Sequence, residues 1–139
     1  MAADSTRRFT VSLPASLMDE LDLRITSRGY DSRSELVRDL IRDRLVEEAW
    51  QGEGGEVHGV LTICYDHHRR DLKDRLHRIQ HDHYVQTLCA THVHLDHDNC
   101  LETIILRGTP AEISKMALSI GGLKGVTFSD LTRAAVPGI

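Results

Sequence analysis

The sequence predicts an α+β protein built from two modules, a strand–helix–helix module followed by a βαββαβ domain. Three observations lead to this prediction. Apolar and polar residues alternate strictly near the N-terminus, as in a strand with one buried face. Two segments with helical spacing of apolar residues come next, and strand-like and helix-like segments then alternate to the end of the chain. All nine histidines and all three cysteines fall between His58 and Cys100, so the two modules differ in chemistry.

Composition excludes several classes of protein. With 139 residues, 40% of them hydrophobic and 27% charged, the chain has room for one compact domain or two small ones. It contains no apolar run near the roughly 18 residues of a membrane span and no apolar signal segment at its start. We therefore expect a cytoplasmic protein without membrane contact. An odd number of cysteines argues against a disulfide scaffold and favours metal ligands or free thiols.

The first predicted element is a strand over residues 8–13. Its apolar residues share one face and its polar residues the other, Phe9, Val11 and Leu13 against Arg8, Thr10 and Ser12. Pro14 ends the strand and suits the first position of a helix, which Gly29 ends with a left-handed cap. Ser32 and Glu35 have the capping-box spacing, which predicts a second helix over residues 33–48.

These elements indicate dimerisation and DNA binding. A lone strand with two amphipathic helices buries too little surface to be stable alone, so we expect two copies to pair their strands antiparallel. The paired strands would present Arg8, Thr10 and Ser12 to base edges in the major groove. The first amide groups of the second helix, at Arg33 and Ser34, would bind phosphate. The net charge of −4 supplies no general electrostatic attraction to DNA, so binding would depend on these individual contacts. The alternative is that Arg8, Thr10 and Ser12 are only the solvent-exposed face of an edge strand.

A Gly-rich linker at residues 51–56 separates a domain over residues 1–50 from one over residues 57–139. In the second domain, Thr109 as N-cap and Pro110 after it give the clearest helix start. The order of elements, βαββαβ, is the ferredoxin-like pattern. Strands are predicted over residues 57–65, 86–95, 100–107 and 124–131, and helices over residues 68–81 and 109–120.

The central hairpin carries the metal-binding residues. His92 and His94 point to the same side of their strand. If the turn at residues 95–99 closes symmetrically, His94 faces Cys100 and His92 faces Glu102 at about 5 Å. Two imidazoles and a thiolate suit a first-row transition metal. The alternative interpretation is that His92 and His94 are solvent-exposed strand residues and Cys100 is a core thiol. Glu102 is a ligand or, in our preferred interpretation, an acceptor that orients a ligand histidine.

A sheet face cannot easily supply a fourth strong ligand from the same hairpin, so we look for one outside it, and another subunit is one source. The candidates near the end of the first helix of this domain are His77, His81 and His83. We interpret the remaining histidines as surface residues: His58, His67, His68 and His97.

Both modules together resemble the family of nickel-responsive transcriptional regulators, NikR. The resemblance extends from about residue 7 to residue 131, and its most specific part is the histidine- and cysteine-containing hairpin. The matching stretches are residues 8–13 (RFTVSL), 28–30 (RGY), 33–35 (RSE), 69–72 (RRDL) and 92–102 (HVHLDHDNCLE).

The resemblance implies a homotetramer, with ribbon-helix-helix dimers flanking a core of ACT-like βαββαβ domains. It implies one Ni(II) per subunit, held by His92, His94 and Cys100 of one chain and His81 of a neighbour, with His83 as the alternative to His81. It implies binding to a palindromic DNA operator and repression of nickel-uptake genes. Two carboxylates of the second helix match positions that hold a further cation between domains, namely Glu35 and Asp39.

Other functions fit parts of the sequence. A zinc or copper sensor on the same scaffold would differ only in the metal that it selects. A metalloenzyme would use His92, His94 and Cys100 with an open water position, but it leaves the first module unexplained. A ribbon-helix-helix antitoxin or a small-ligand ACT sensor would bind DNA without metal and would make the histidines incidental.

Overall fold

A computed structural model gives the structure of the chain and describes residues 5–82 and 84–136. The chain forms two compact units, and the division falls within the second helix, between Ile41 and Arg42. The α+β class is confirmed, as is the βαββαβ order of the second unit. The elements are α1 (Ala15–Arg28), α2 (Arg33–Gln51), β1 (Val57–Asp66), α3 (Arg70–Asp82), β2 (Gln86–His94), β3 (Asn99–Gly108), α4 (Pro110–Gly121) and β4 (Val126–Ala134).

The segment before α1 differs from its prediction. Residues 5–14 contain no strand, although the sequence alternates there. Phe9 and Val11 are 73% and 58% exposed, so the apolar face of this segment is not covered within the chain. The physical reason is that a strand forms by hydrogen bonding to a neighbour, and the predicted neighbour is the same segment of a second copy. Pro14 lies just before α1 as its N-cap rather than inside it.

Both helices predicted for the first module are present, and local signals set the end of α1 and the start of α2. Gly29 has a φ of 71°, the left-handed conformation that glycine adopts without a steric penalty, and it ends α1. Ser32 Oγ accepts a hydrogen bond from the Glu35 amide at 3.2 Å, as the capping box predicts. The Glu35 carboxylate in turn accepts from the Asp31 amide at 3.4 Å, one residue earlier than in a standard capping box.

The second unit is a four-stranded antiparallel sheet with the order β2–β3–β1–β4. Side chains along β1 alternate between buried and half-buried. Those on the buried side pack with α3 and α4 into one hydrophobic core, which includes Leu61, Leu72, Ile104 and Ile113. Thr109 caps α4 as predicted, because its hydroxyl oxygen accepts from the Glu112 amide at 3.3 Å.

The last turns of α2 belong to the second unit. Trp50 is only 9% exposed, and its indole N–H donates to the carbonyl oxygen of Ala134 at 3.0 Å. The ring reaches over Gly59 of β1, where a Cβ would meet neighbouring side chains at 3.0 Å. This packing explains why α2 continues to Gln51 instead of ending at residue 48. The limits of the two domains and of the linker stay a prediction.

Candidate metal centre

The β2–β3 hairpin has the predicted register, with His94 opposite Cys100 and His92 opposite Glu102. Asp96 fixes the turn, because its Oδ1 accepts hydrogen bonds at 2.8 Å from the amides of Asp98 and Asn99. The Asn99 side chain adds two hydrogen bonds of 3.0 Å to the same carboxylate. These bonds, led by that of Asn99, lower the pKa of Asp96.

Two predicted ligands are in direct contact. The Cys100 sulfur lies 3.3 Å from Nδ1 of His94. Cys100 is 1% exposed and belongs to the hydrophobic core, whereas the His94 side chain is exposed. Burial raises the pKa of the Cys100 thiol, Lys73 opposes this shift with its positive charge, and Glu102 adds to it. A thiol and an imidazole therefore meet at the boundary between the core and the solvent.

The third member of the cluster is His67, which was predicted to be a surface histidine. Donor atoms of His67, His94 and Cys100 all lie within 4.8 Å of one another. His67 follows directly after β1, whose last residue pairs with Asn99 at the start of β3. Its Nδ1 lies 3.0 Å from the Asp98 carbonyl oxygen. Only the long-range pairing of β1 with β3 brings it there, so no local sequence pattern could have identified it.

His92 does not join this cluster in the structure. Its ring centroid lies 6.0 Å from that of His94, and its side chain is exposed on the same face of β2. The structure therefore unites two of the three ligands predicted within one chain and replaces the third with His67. Exposed side chains change rotamer on the picosecond-to-nanosecond timescale, so the ring of His92 is free to reorient.

The residues predicted near the end of α3 stand apart from the cluster. His77 and His81 are exposed on α3, and neither belongs to a group of close metal-ligating atoms among residues 5–82 and 84–136. His83 lies outside the described residues. Glu102 is half-buried, and its Oε2 accepts a hydrogen bond from the Tyr65 hydroxyl at 2.9 Å.

A second group of close donor atoms lies beside the hairpin turn. It consists of His68, His97 and Asp98, whose donor atoms are within 4.8 Å of one another and whose side chains are all exposed. His68 Nε2 is 3.2 Å from Asp98 Oδ1. The prediction of surface positions for His68 and His97 is confirmed by their exposure.

The residues predicted to contact DNA or a second cation lie in the first unit. Arg8, Thr10 and Ser12 are exposed, as are Arg33 and Ser34. The Arg33 guanidinium binds Asp22 through two hydrogen bonds of 2.8 and 2.7 Å, and this pairing lowers the pKa of Asp22. The carboxylates of the predicted cation site are half-buried on α2, at Glu35 and Asp39.

Comparison with known families assigns both units. Residues 58–134 match the family described as the NikR C-terminal nickel-binding domain. Residues 7–48 match the ribbon-helix-helix proteins of the CopG family. The chain belongs to the NikR family. Because of this family membership, the chain is a DNA-binding, nickel-responsive transcription regulator and not an enzyme.

Full-length relatives support the NikR assignment. A protein described as a nickel-responsive regulator in Campylobacter concisus is 52% identical over 134 residues, which are 96% of this chain and 98% of the relative. Relatives with the same description in Helicobacter acinonychis and Helicobacter hepaticus are 53% and 55% identical. They are covered over 91% and 94% of their lengths, against 95% and 92% of this chain.

The donor atoms of the hairpin fit nickel. Imidazole and thiolate ligands together suit a late first-row transition metal, and the buried sulfur lies in contact with one imidazole. A hard cation such as Mg²⁺ would instead require oxygen ligands.

Among the described residues, no helix is both long enough and apolar enough to cross a membrane.

Proposed function

We propose that this chain is a cytoplasmic repressor of nickel-uptake genes that binds one Ni(II) per subunit. His92, His94 and Cys100 of one subunit and His81 of a neighbour would be the ligands. The observation that carries the proposal is the 3.3 Å contact between the Cys100 sulfur and His94 Nδ1, because it joins a buried thiol to a strand that also bears His92. Bound nickel would supply a rigid link between two chains.

The incomplete cluster supports a ligand from another subunit. The hairpin of one chain offers two imidazoles and one sulfur, and a planar four-coordinate ion needs a fourth donor. His81 is exposed in the last turn of α3 and lies outside the donor cluster of its own chain, so it is available to a second copy. His83 remains the alternative to His81.

Exposed apolar surfaces support a tetramer built as a dimer of dimers. In the first unit, Phe9 and Val11 are mostly exposed, as expected if paired strands of two copies bury them. In the second unit, Val93 and Phe128 are more than half exposed on the sheet face opposite the helices. Two kinds of uncovered apolar surface would be buried by two kinds of interface, which together would give a closed tetramer.

The antiparallel pairing of residues 8–13 from two copies would also form the DNA interface. Arg8, Thr10 and Ser12 of paired strands would read base edges, and a two-fold dimer would select a palindromic operator. The first two amides of α2, at Arg33 and Ser34, have no partner within the helix because intrahelical bonding begins with Leu36. They would bind phosphate. Arg33 would then contribute its amide, since its guanidinium is held by Asp22.

Regulation would follow from ligands shared between subunits. A metal that bridges two chains favours the quaternary arrangement in which the ligands meet, and this arrangement would have the higher DNA affinity.

Glu35 and Asp39 would hold a second cation with oxygen ligands from outside α2. They lie one helical turn apart, and Glu35 already uses one carboxylate oxygen to accept from the Asp31 amide.

The test is DNA binding by the full chain with and without Ni(II), combined with nickel affinity for four single substitutions. Cys100→Ala and His92→Ala are expected to abolish the nickel response. His67→Ala is expected to keep it, because His67 would leave the cluster when His92 binds. His58→Ala is the control, since His58 pairs with Arg107 at the other end of the sheet.

If Cys100→Ala responds as the parent does, the ligand assignment is wrong. If His67→Ala fails and His92→Ala responds, His67 is the ligand instead.

A zinc or copper sensor on the same scaffold is the second candidate. Cu(II) exceeds Ni(II) in intrinsic affinity for such ligands, so selection of nickel would rest on geometry and metal supply. Metal competition with coordination spectroscopy separates the candidates. Square-planar Ni(II) with nitrogen and sulfur ligands supports our proposal, and tetrahedral Zn(II) as the only ion that changes DNA affinity would contradict it.

A further inference from the structure

Tyr65 connects the hydrophobic core to the residues around the metal centre. It is the penultimate residue of β1, is only 3% exposed, and pairs with Cys100 across the strands. Its hydroxyl donates to Glu102 Oε2 at 2.9 Å. Glu102 in turn is opposite His92 on the neighbouring strand. The carboxylate of Glu102 therefore lies between a fixed phenol on one side and the strand of a candidate ligand on the other.

We propose that Tyr65 is a positioning residue for the metal centre, holding the Glu102 carboxylate where it accepts the ring N–H of His92. This inference rests on the proposed function, since it takes His92 as a ligand. Histidines that bind metal usually donate their other ring N–H to a carboxylate or carbonyl, which fixes the tautomer and the orientation of the ring. His92 is the predicted ligand that lies outside the cluster of close donor atoms, and a carboxylate oriented toward its ring would fix that ring for metal binding.

The contact suits this role chemically. A half-buried glutamate samples several rotamers, and ordering them costs conformational entropy. A hydrogen bond from a buried, immobile phenol removes part of that cost before the metal arrives. Burial and the neighbouring carboxylate both raise the pKa of Tyr65, so the hydroxyl keeps its proton and remains a donor at neutral pH.

A purely structural role makes a different prediction. If Tyr65 only fills space, then Tyr65→Phe keeps the ring and should leave the metal centre unchanged. If Tyr65 positions Glu102, loss of one hydroxyl should alter metal binding while the fold remains intact. Tyr84→Phe removes the same atom from a side chain that is 95% exposed, and it is the matched control.

The experiment measures Ni(II) affinity of the full metal-free chain by competition with a chelator, together with the absorption spectrum of the nickel complex. Tyr65→Phe and Glu102→Gln are each expected to weaken nickel binding by about 10- to 100-fold, the usual effect of removing a group that orients a ligand. Tyr84→Phe should match the parent. In the Glu102→Gln background, Tyr65→Phe should have little further effect, because both changes interrupt one connection.

Two results would overturn the inference. One is a nickel affinity for Tyr65→Phe equal to that of the control, and the other is an equal loss with and without Glu102→Gln. If Tyr65→Phe does not fold, normal nickel affinity in Glu102→Gln alone also refutes it. Failure of the proposed function has a separate signature, because Cys100→Ala would then bind nickel as the parent does.

Discussion

Nδ1 of His94 and the sulfur of Cys100 lie 3.3 Å apart, on neighbouring strands of one hairpin. The imidazole is exposed, and the thiol is almost completely buried in the core. Burial keeps the thiol protonated, whereas a metal requires the thiolate. If the two groups bind a metal as we propose, the thiol proton must leave when the metal arrives.

Nickel affinity should therefore rise with pH. Because the pKa of Cys100 is raised above its ordinary value, the thiol is mostly protonated at pH 7, and each bound nickel displaces its proton. Displacement of one thiol proton by each nickel predicts about a tenfold gain in affinity per pH unit between pH 7 and 8.5. Chelator competition across this range measures it. Cys100→Ala should bind weakly with little pH dependence, and an unchanged slope in that variant would contradict the assignment.

Asp22→Asn should strengthen DNA binding without a preference for sequence. The Asp22 carboxylate neutralises the Arg33 guanidinium at the start of α2. Its removal frees one positive charge near the proposed phosphate contacts. The logarithm of DNA affinity against that of salt concentration should then become steeper by about 0.9, the value for one additional phosphate contact. Asp19→Asn is the control, and equal slopes for both variants would show that Arg33 does not approach DNA.

Gly59→Ala should destabilise the second unit. A Cβ at this position would lie 3.0 Å from Ile113 Cγ2 and from Leu131 Cδ1 in a filled core. Overpacking of this kind costs about 1–3 kcal/mol of the free energy of unfolding. Urea denaturation of the metal-free chain measures the change. Gly54→Ala places a methyl group where no atom lies within 4 Å, so a similar loss in both variants would refute the packing argument.

The cap of α4 gives a fourth prediction. Thr109→Ala removes the hydroxyl that accepts from the Glu112 amide, and loss of such a cap costs about 1 kcal/mol. Thr109→Ser keeps the acceptor and should retain most of the stability. Thermal unfolding of the two variants compares them directly. If serine and alanine lower the melting temperature equally, the hydroxyl does not stabilise this helix.

Local signals predicted most of the second unit. Thr109 and Pro110 gave the start of α4, and the short turn at Asp96 fixed which residues of β2 and β3 face each other. These features depend on residues close together in the chain. His67 could not be found in this way, because it reaches the cluster only through the pairing of Asp66 with Asn99.

Two further differences arise from partners that a local pattern does not reveal. Residues 8–13 alternate as a strand should, but the single chain leaves them outside any sheet, because the partner that we propose for them is another copy of the chain. The predicted end of α2 at residue 48 overlooked Trp50, whose burial against β4 extends the helix. For α2 the sequence showed the helical preference but not the surface against which Trp50 packs.

The position of Trp50 also has a practical consequence. It is the only tryptophan in the sequence, and it is packed entirely within the second unit. Its intrinsic fluorescence therefore reports the melting of the second unit, which includes the end of α2, and does not report the melting of α1. Far-ultraviolet circular dichroism sees both, so the two optical signals recorded in one titration resolve whether the units unfold together or in succession.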